Sequence, residues 1–378
     1  MRIDGEWLNH PGTQALCGFL EMAGMQALFV GGCVRNALLG ESVADIDIAT
    51  DATPDMVVNL AATNGMKVVP TGLSHGTVTV IAGGKPHEVT TLRRDVATDG
   101  RHAEVEFSKD VVEDAGRRDF TMNALYANRF GEVLDPIGGL SDLLARHVRF
   151  VGDPERRIRE DYLRILRFFR FHARYGDETS GLDKEGLQAC AAHVAGLDTL
   201  SRERVGAEIR KLLSARNPAP TLQAMARAGV LGRVLPDADL DAIARLAALE
   251  GGAPPDWMRR LACLGGAVAE DLRLSKAEGR RIHAIRRAAA SDRGAAAIGW
   301  ELGREVGRSA VIVRAARSGH GLPAGWAEDV DRGAAATFPV KAQDLLPLAG
   351  RDLGARLASL TDLWLRSDLR LTRNELLR

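Results

Sequence analysis

An α/β head followed by an all-α remainder is the fold class this 378-residue sequence predicts. Three observations carry it. Short β-like runs crowd the chain before about residue 140: "ALFVGG" (27–32), "ADIDIA" (44–49), "GTVTVIA" (76–82), "HEVTTLR" (87–93) and "EVLD" (132–135). Helical segments lie between them. After "DPIGGLSDLLARHVRFVGDP" the pattern turns helical almost to the end, rich in Ala, Leu and Arg, with breaks at "RNPAP", "GGAPPD" and "GHGLPAG".

Each element has a local reason. "GTQALCGFLEMAG" and "TPDMVVNLAATNG" read as helices, the second opening on Thr53 as cap and Pro54 as first helical residue. The runs 76–82 and 87–93, joined through "GGKP", read as an antiparallel hairpin. The length calls for two to four domains. Hydrophobic residues at 46% and charged residues at 26% are those of an ordinary globular chain. A formal net charge of +0 means that any polyanion must be met by local basic patches. Cys17, Cys33, Cys190 and Cys263 show no CxxC spacing, which argues against a zinc site or disulfide framework and fits a reducing cytosol. "MRIDGEWLNH" has no signal-peptide core and no apolar run nears ~20 residues, so a cytoplasmic protein with no membrane partner is expected.

The chemistry begins at "VADIDIATDATPD" (43–55). On a strand, Asp45 and Asp47 point one way while Ala44, Ile46 and Ile48 face the core. Two carboxylates so placed repel unless a cation joins them, and oxygen ligands of this kind suit Mg²⁺. Upstream, "FVGGCVRNALLG" (29–40) sets Gly31 and Gly32 between a strand and a helix beginning near Val34, where backbone amides can approach a phosphate. Arg35 could add a forked cationic contact. Glu88 offers a third carboxylate on a neighbouring strand. "RRDFTMNALYA" (117–127) supplies Arg118, Asp119 and Asn123, the last two four apart at the start of an expected helix, where they could contact a ribose. "RIREDYLRILRFFRFHARYG" (157–176) reads as one amphipathic helix. Tyr162, Ile165, Leu166 and Phe169 form its core face, with Asp161 and Arg164 together on the polar side. Arginines beyond residue 215 (Arg227, Arg245, Arg259, Arg260, Arg280, Arg281, Arg286, Arg287) are candidates for RNA phosphates.

In order and spacing, "GGCVRNALLG…DIDIAT", "HGTVTV…HEVTTLR", "RRDFTMNAL" and "DPIGG" resemble class II tRNA nucleotidyltransferases, the family of CCA-adding enzymes and bacterial poly(A) polymerases. The resemblance implies a polymerase-β-like nucleotidyltransferase head (1–140) with helical neck (141–215), body (216–300) and tail (301–378). It implies that Asp45 and Asp47 hold metal, that Glu88 assists them, and that Gly31, Gly32 and Arg35 contact the triphosphate. Asp119 and Asn123 are implied to lie near the ribose. Asn36 departs from the aspartate usual after that arginine. "EDYLRILRFFRF" looks like the family's EDxxR segment, a protein template for the incoming base, with Asp161 and Arg164 as the readers and Glu160 and Arg167 as support. "SRERVGAEIRKLL" (201–213), with Arg202, Arg204 and Glu208, resembles the next helix. The stretch after Thr91, with Arg93, Asp95, Asp99 and Arg101, resembles a flexible loop. The implied activity is addition of C, C and A to the tRNA 3′ end from CTP and ATP with Mg²⁺; no DNA partner is expected. The alternatives are a poly(A) polymerase, an A-adding or CC-adding enzyme, a small-molecule nucleotidyltransferase, or a non-catalytic RNA-binding protein.

Overall fold

The computed structural model describes residues 1–73, 76–98, 103–266 and 272–378. The chain divides into two compact units, Met1–Leu200 and Ser201–Arg378. Among the described residues no helix is long and apolar enough to cross a membrane.

The first unit runs α1 (Pro11–Met22), β1 (Leu28–Val30), α2 (Gly32–Leu39), β2 (Asp47–Thr50), α3 (Pro54–Thr63), β3 (Lys67–Gly72), β4 (Thr77–Ala82) and β5 (Lys85–Thr91). Then come β6 (Arg93–Thr98), β7 (Ala103–Phe107), α4 (Val111–Gly116), β8 (Tyr126–Ala127) and β9 (Val133–Leu134). It ends with α5 (Gly139–Leu144), α6 (Pro154–Glu160), α7 (Leu163–Tyr175) and α8 (Lys184–Ala192). Seven strands form one sheet in the order β3-β4-β5-β2-β1-β8-β9. Within it only β2 and β5 run parallel. That pair sets Asp47 beside Glu88 and Ile48 beside Val89. The β4–β5 hairpin closes on Gly83 and Gly84, both at positive φ (+58° and +79°), the demand of a tight two-residue turn. Lys85 and Pro86 therefore belong to β5 rather than to the turn. Leu28, Val30, Ala49, Leu92 and Tyr126 join one core behind the sheet.

Three sequence expectations give way here. The helix expected from 157 to 176 is two, broken at Asp161 and Tyr162, because Asp161 adopts an extended backbone (φ −157°, ψ 107°). No α-helix starts in "RRDFTMNALYA". α4 has already ended, and one short turn of 3₁₀ helix, Thr121–Asn123, leads straight into β8. Burial of Phe120 explains this. It bridges to Phe150 as an isolated β-pair and packs on the Phe150 and Phe171 rings at centroid distances of 5.0 and 4.9 Å. Much of the stretch expected as a flexible loop is a two-stranded ribbon, β6 with β7, tied by Arg94 to Glu106 at 2.8 Å. Asp99 and Arg101 lie outside the described residues.

The second unit is helical: α9 (Arg202–Leu213), α10 (Ala219–Arg227), α11 (Val230–Val234), α12 (Leu240–Leu249), α13 (Trp257–Leu264) and α14 (Lys276–Ala289). α15 (Ala295–Ser318, kinked at Gly303), α16 (Trp326–Ala335), α17 (Gly350–Arg366) and α18 (Arg373–Leu376) complete it. Trp364 anchors its C-terminal core, with Trp300 and Phe338 edge-on at 5.7 and 5.4 Å.

Candidate nucleotidyl-transfer site

Asp47 opens β2, and its side chain is flanked by the buried Ile46 and Ile48. Alternation along an extended chain therefore turns Asp45 and Asp47 to the opposite face. Asp45 precedes the strand proper, and Ala44, expected in the core, is exposed. The parallel ladder extends to Ile46, whose carbonyl accepts from Glu88 N at 3.0 Å. Glu88 is exposed between the buried His87 and Val89, so it shares the face of Asp47. Burial, then Glu88, then Asp45 push the Asp47 carboxyl up to about 6, while Arg118 pulls it down. Among the described residues no three acidic, histidine or cysteine side chains converge closely enough to hold a metal ion. Glu88 is thus tied to the pair by sheet register alone.

The glycine turn stands next to this face. Gly31 takes φ +70° and ψ −118° as the cap of α2, a backbone open to few residues but glycine. A Cβ there would sit 3.4 Å from Arg118 Nη1. Arg118 thus lies beside the turn on the Gly31 side. Its Nη2 donates to Asp114 Oδ2 at 2.9 Å and its Nε to the Tyr126 hydroxyl at 3.1 Å. Burial works against its charge, but the Asp114 carboxylate outweighs this and holds its pKa above the usual range.

Arg35, expected on the triphosphate, sits under the turn, its Nη2 3.9 Å from where a Cβ on Gly32 would stand. It is buried at 7% exposure, stacked on Tyr175 with its guanidinium carbon 4.1 Å from the ring centre. It donates to Asn36 Oδ1 (2.9 Å), the Tyr175 hydroxyl (2.7 Å) and Asn123 Oδ1. Desolvation makes a buried guanidinium costly unless it is paired, and these partners account for its position. The amide of Asn36 serves as its acceptor, and Asn36 Nδ2 donates to Ser42 O at 3.0 Å.

Asn123 continues the chain of contacts. Its Nδ2 donates to Asp119 Oδ1 (2.9 Å), and Arg167 Nε donates to Asp119 Oδ2 (2.7 Å). Burial alone would raise the Asp119 carboxyl; Arg167, Asn123 and the Phe120 amide hold it at about 2. Arg35, Asn123, Asp119 and Arg167 therefore form one relay from α2 to α7.

At the α6–α7 break, Asp161 Oδ1 accepts from Leu163 N at 3.1 Å, starting α7. Arg164 does not pair with Asp161 as a helix neighbour would. Its Nη1 donates to Glu160 Oε2 (2.6 Å) and Arg157 O (2.8 Å). Glu160 also meets Arg156 and Arg157. Arg157, buried, donates to Arg118 O at 2.7 Å and to Arg117 O, fixing the backbone that carries the phosphate-side arginine. Tyr162 lies so close to Gly196 that a Cβ there would fall 2.1 Å from its ring.

Sequence reasoning missed Asp114, Arg157 and Tyr175. The first had a signal, an acid three and four residues before Arg117 and Arg118 in "EDAGRR". Tyr175 had none.

Residues 27–149 match the family model described as "Poly A polymerase head domain", and residues 181–241 that described as "Probable RNA and SrmB- binding site of polymerase A". The chain is 45% identical over 184 residues to the mitochondrial CCA tRNA nucleotidyltransferase 1 of Homo sapiens, covering 48% of this chain and 42% of that protein. To the CCA-adding enzyme of Levilactobacillus brevis it is 39% identical over 213 residues, covering 56% and 52%. The chain thus spans about half the length of the curated relatives it matches. Its structure resembles that of the Bacillus stearothermophilus CCA-adding enzyme in complex with CTP, with TM-score 0.70, 28% identity and coverage of 94% and 93%. The head sheet and the glycine turn thus lie within residues 27–149, the segment that matches the poly(A) polymerase head-domain model, and the fold around them is similar to that of a CCA-adding enzyme.

Proposed function

We propose that this protein adds C, C and A to the 3′ end of tRNA, using CTP and ATP and releasing pyrophosphate. The observation that carries the reading is the Asp47–Glu88 pairing across parallel strands, with Asp45 alongside and Arg118 against the Gly31 turn. The names of the curated relatives and the CTP of the Bacillus stearothermophilus structure support the same reading.

Magnesium fits this face. Its donors are hard carboxylate oxygens, Asp47 is crowded by negative neighbours that a cation would relieve, and Mg²⁺ needs only one or two carboxylates. Asp45 and Asp47 would hold the ion, with Glu88 beside them. Bound there, it supplies charge neutralisation at the phosphates and activation of the RNA 3′-hydroxyl. The residues of the chain do the rest. Amides of the Gly31–Gly32 turn and the Arg118 guanidinium bind phosphate oxygens. Arg35 holds Asn123 and Asp119, which orient the ribose. At the helix break, Asp161 accepts from an exocyclic amine and Arg164 donates to a ring nitrogen. Cytosine and adenine each offer that amine beside an acceptor nitrogen; uracil and guanine reverse both contacts. Glu160 fixes Arg164 for this task, and Arg167 steadies Asp119. Four free, buried cysteines suit a reducing compartment, and we place the protein in the cytoplasm.

The test is extension of tRNA lacking its CCA end, with CTP, ATP or both. Product ending in CCA is the expected result. Long adenosine tails from ATP alone would make it a poly(A) polymerase, and no extension at all would overturn the reading.

A further inference from the structure

Most arginines of the second unit are engaged inside it. Arg245 donates to Ala316 O (2.6 Å), Arg286 to Gly265 O (2.7 Å) and Gly266 O (2.6 Å), and Arg314 to Arg293 O (2.6 Å) and Ala288 O (2.8 Å). Arg259 and Arg260 each meet the buried Glu250 at 2.7 Å. The sequence expectation that Arg259, Arg260 and Arg286 face RNA phosphates is therefore overturned: their charge is used on carbonyls and a buried carboxylate. Arg281 is held by Asp256 and Glu305 at 3.0 and 2.7 Å.

α14 keeps a remainder. Lys276, Arg280, His283 and Arg287 are all exposed, and none has an ion pair or side-chain hydrogen bond among the described residues. At ~100° per residue they fall within an arc of about 60°, and they span about 16 Å of helix axis in steps of roughly 4–6 Å. The acid on this helix, Glu278, is engaged with Ser275 N (2.7 Å) and Arg210 (3.2 Å). The apolar residues Ile282, Ile285 and Ala288 are buried, and no large apolar side chain of α14 is exposed.

We infer that Lys276, Arg280, His283 and Arg287 form a ridge that tracks the phosphate backbone of the acceptor RNA. The inference rests on the tRNA-extending reading above, and it adds a surface outside residues 181–241, the segment matched as RNA-binding. RNA is the occupant that this chemistry favours. Three cations and a hydrogen-bonding histidine in a row, without apolar anchors, suit a repeating anion. A membrane-surface helix would need exposed apolar residues on its other flank, and a protein partner would need a desolvated anchor at its centre. With no net charge on the chain, attraction to RNA must be local, as this ridge supplies.

The experiment measures binding of tRNA lacking CCA across a salt series, for the wild type and for Lys276→Gln/Arg280→Gln/Arg287→Gln. The triple variant should bind about tenfold or more weakly, with the slope of log K against log salt shallower by about two to three. CTP binding should be unchanged. Arg280→Lys/Arg287→Lys, which keeps the charge, should bind like the wild type. Lys67→Gln/Lys85→Gln/Arg146→Gln, which removes three exposed charges from the first unit, should weaken binding by less than about twofold. An unchanged slope in the ridge variant, or an equal loss in that control, overturns the ridge while leaving the proposed activity standing. Failure of the wild type to bind or extend tRNA at all would instead remove the reading beneath both.

Discussion

In Met1–Leu200 the guanidiniums around the site end mostly on side chains: Arg118 on Asp114 and Tyr126, Arg35 on Asn123 and Tyr175, Arg167 on Asp119, with Arg157 the exception on the Arg117 and Arg118 carbonyls. In Ser201–Arg378 they end mostly on backbone carbonyls at the close of a neighbouring helix. Arg260 reaches the carbonyl of Leu213, the last residue of α9, at 2.7 Å, Arg286 that of Gly265 just past α13, and Arg314 that of Ala288 in the last turn of α14. Orphan carbonyls at a helix end attract a cation, so each helix is locked by a later one. The difference teaches that arginine content does not identify a nucleic-acid surface. In the first unit arginines hold loops in register around a site. In the second many of them hold helices together, and among those left without a partner in the described residues Arg280 and Arg287 share one face of α14.

The most damaging change to the first unit should be Asp47→Asn, reducing RNA extension by about 10³-fold or more. It should also stabilise the fold. Asp47's carboxyl is raised by burial and Glu88 to about 6, so the folded state holds that proton more tightly than the unfolded chain does. Its stabilising contribution is full below the ordinary carboxylate range and lost as pH rises through about 6. The variant should therefore melt higher than the wild type at about pH 8 and no higher at about pH 4; a lower melting point at the alkaline end would contradict this. Next in size, Arg260→Met leaves Glu250 with half its pairing in a dry site and should cost about 3–5 kcal/mol. Denaturant unfolding should assign that loss to the helical unit while CTP binding persists; loss of CTP binding alone would break the contrast between the units. Asp161→Asn should leave turnover with CTP largely intact but admit UTP, lowering discrimination roughly 10²-fold in single-nucleotide incorporation. The smallest effect is expected from Arg286→Gln, about 1–3 kcal/mol from carbonyls left without their donor. A melting curve unchanged by this variant would show that these carbonyls find water instead.

The head was legible because its signals are local. A strand alternates, so Asp45 and Asp47 could be put on one face, and the Gly83–Gly84 pair marks a hairpin whatever surrounds it. What was hidden depends on tertiary packing. The periodicity of 157–176 continues smoothly through Asp161 and Tyr162, and nothing local announces that the helix breaks there. Arg35 and Arg118 look equally suited to a phosphate in sequence. Only the aromatic bed of Phe171 and Tyr175, about 140 residues away, sets Arg35 deeper, on the Gly32 side of the turn, while Arg118 lies on the Gly31 side. Phe120 likewise looks like one apolar residue in a helix until Phe150 and Phe171 claim it.

Tyr162 occupies the joint between two helices, and Gly196 offers it a seat with no room for a methyl group. Adding one carbon at Gly196 would displace the ring and, through the neighbouring peptide, swing the aspartate that comes before it. A chain built this way can have the setting of Asp161 altered by a substitution far along the sequence, at Gly196.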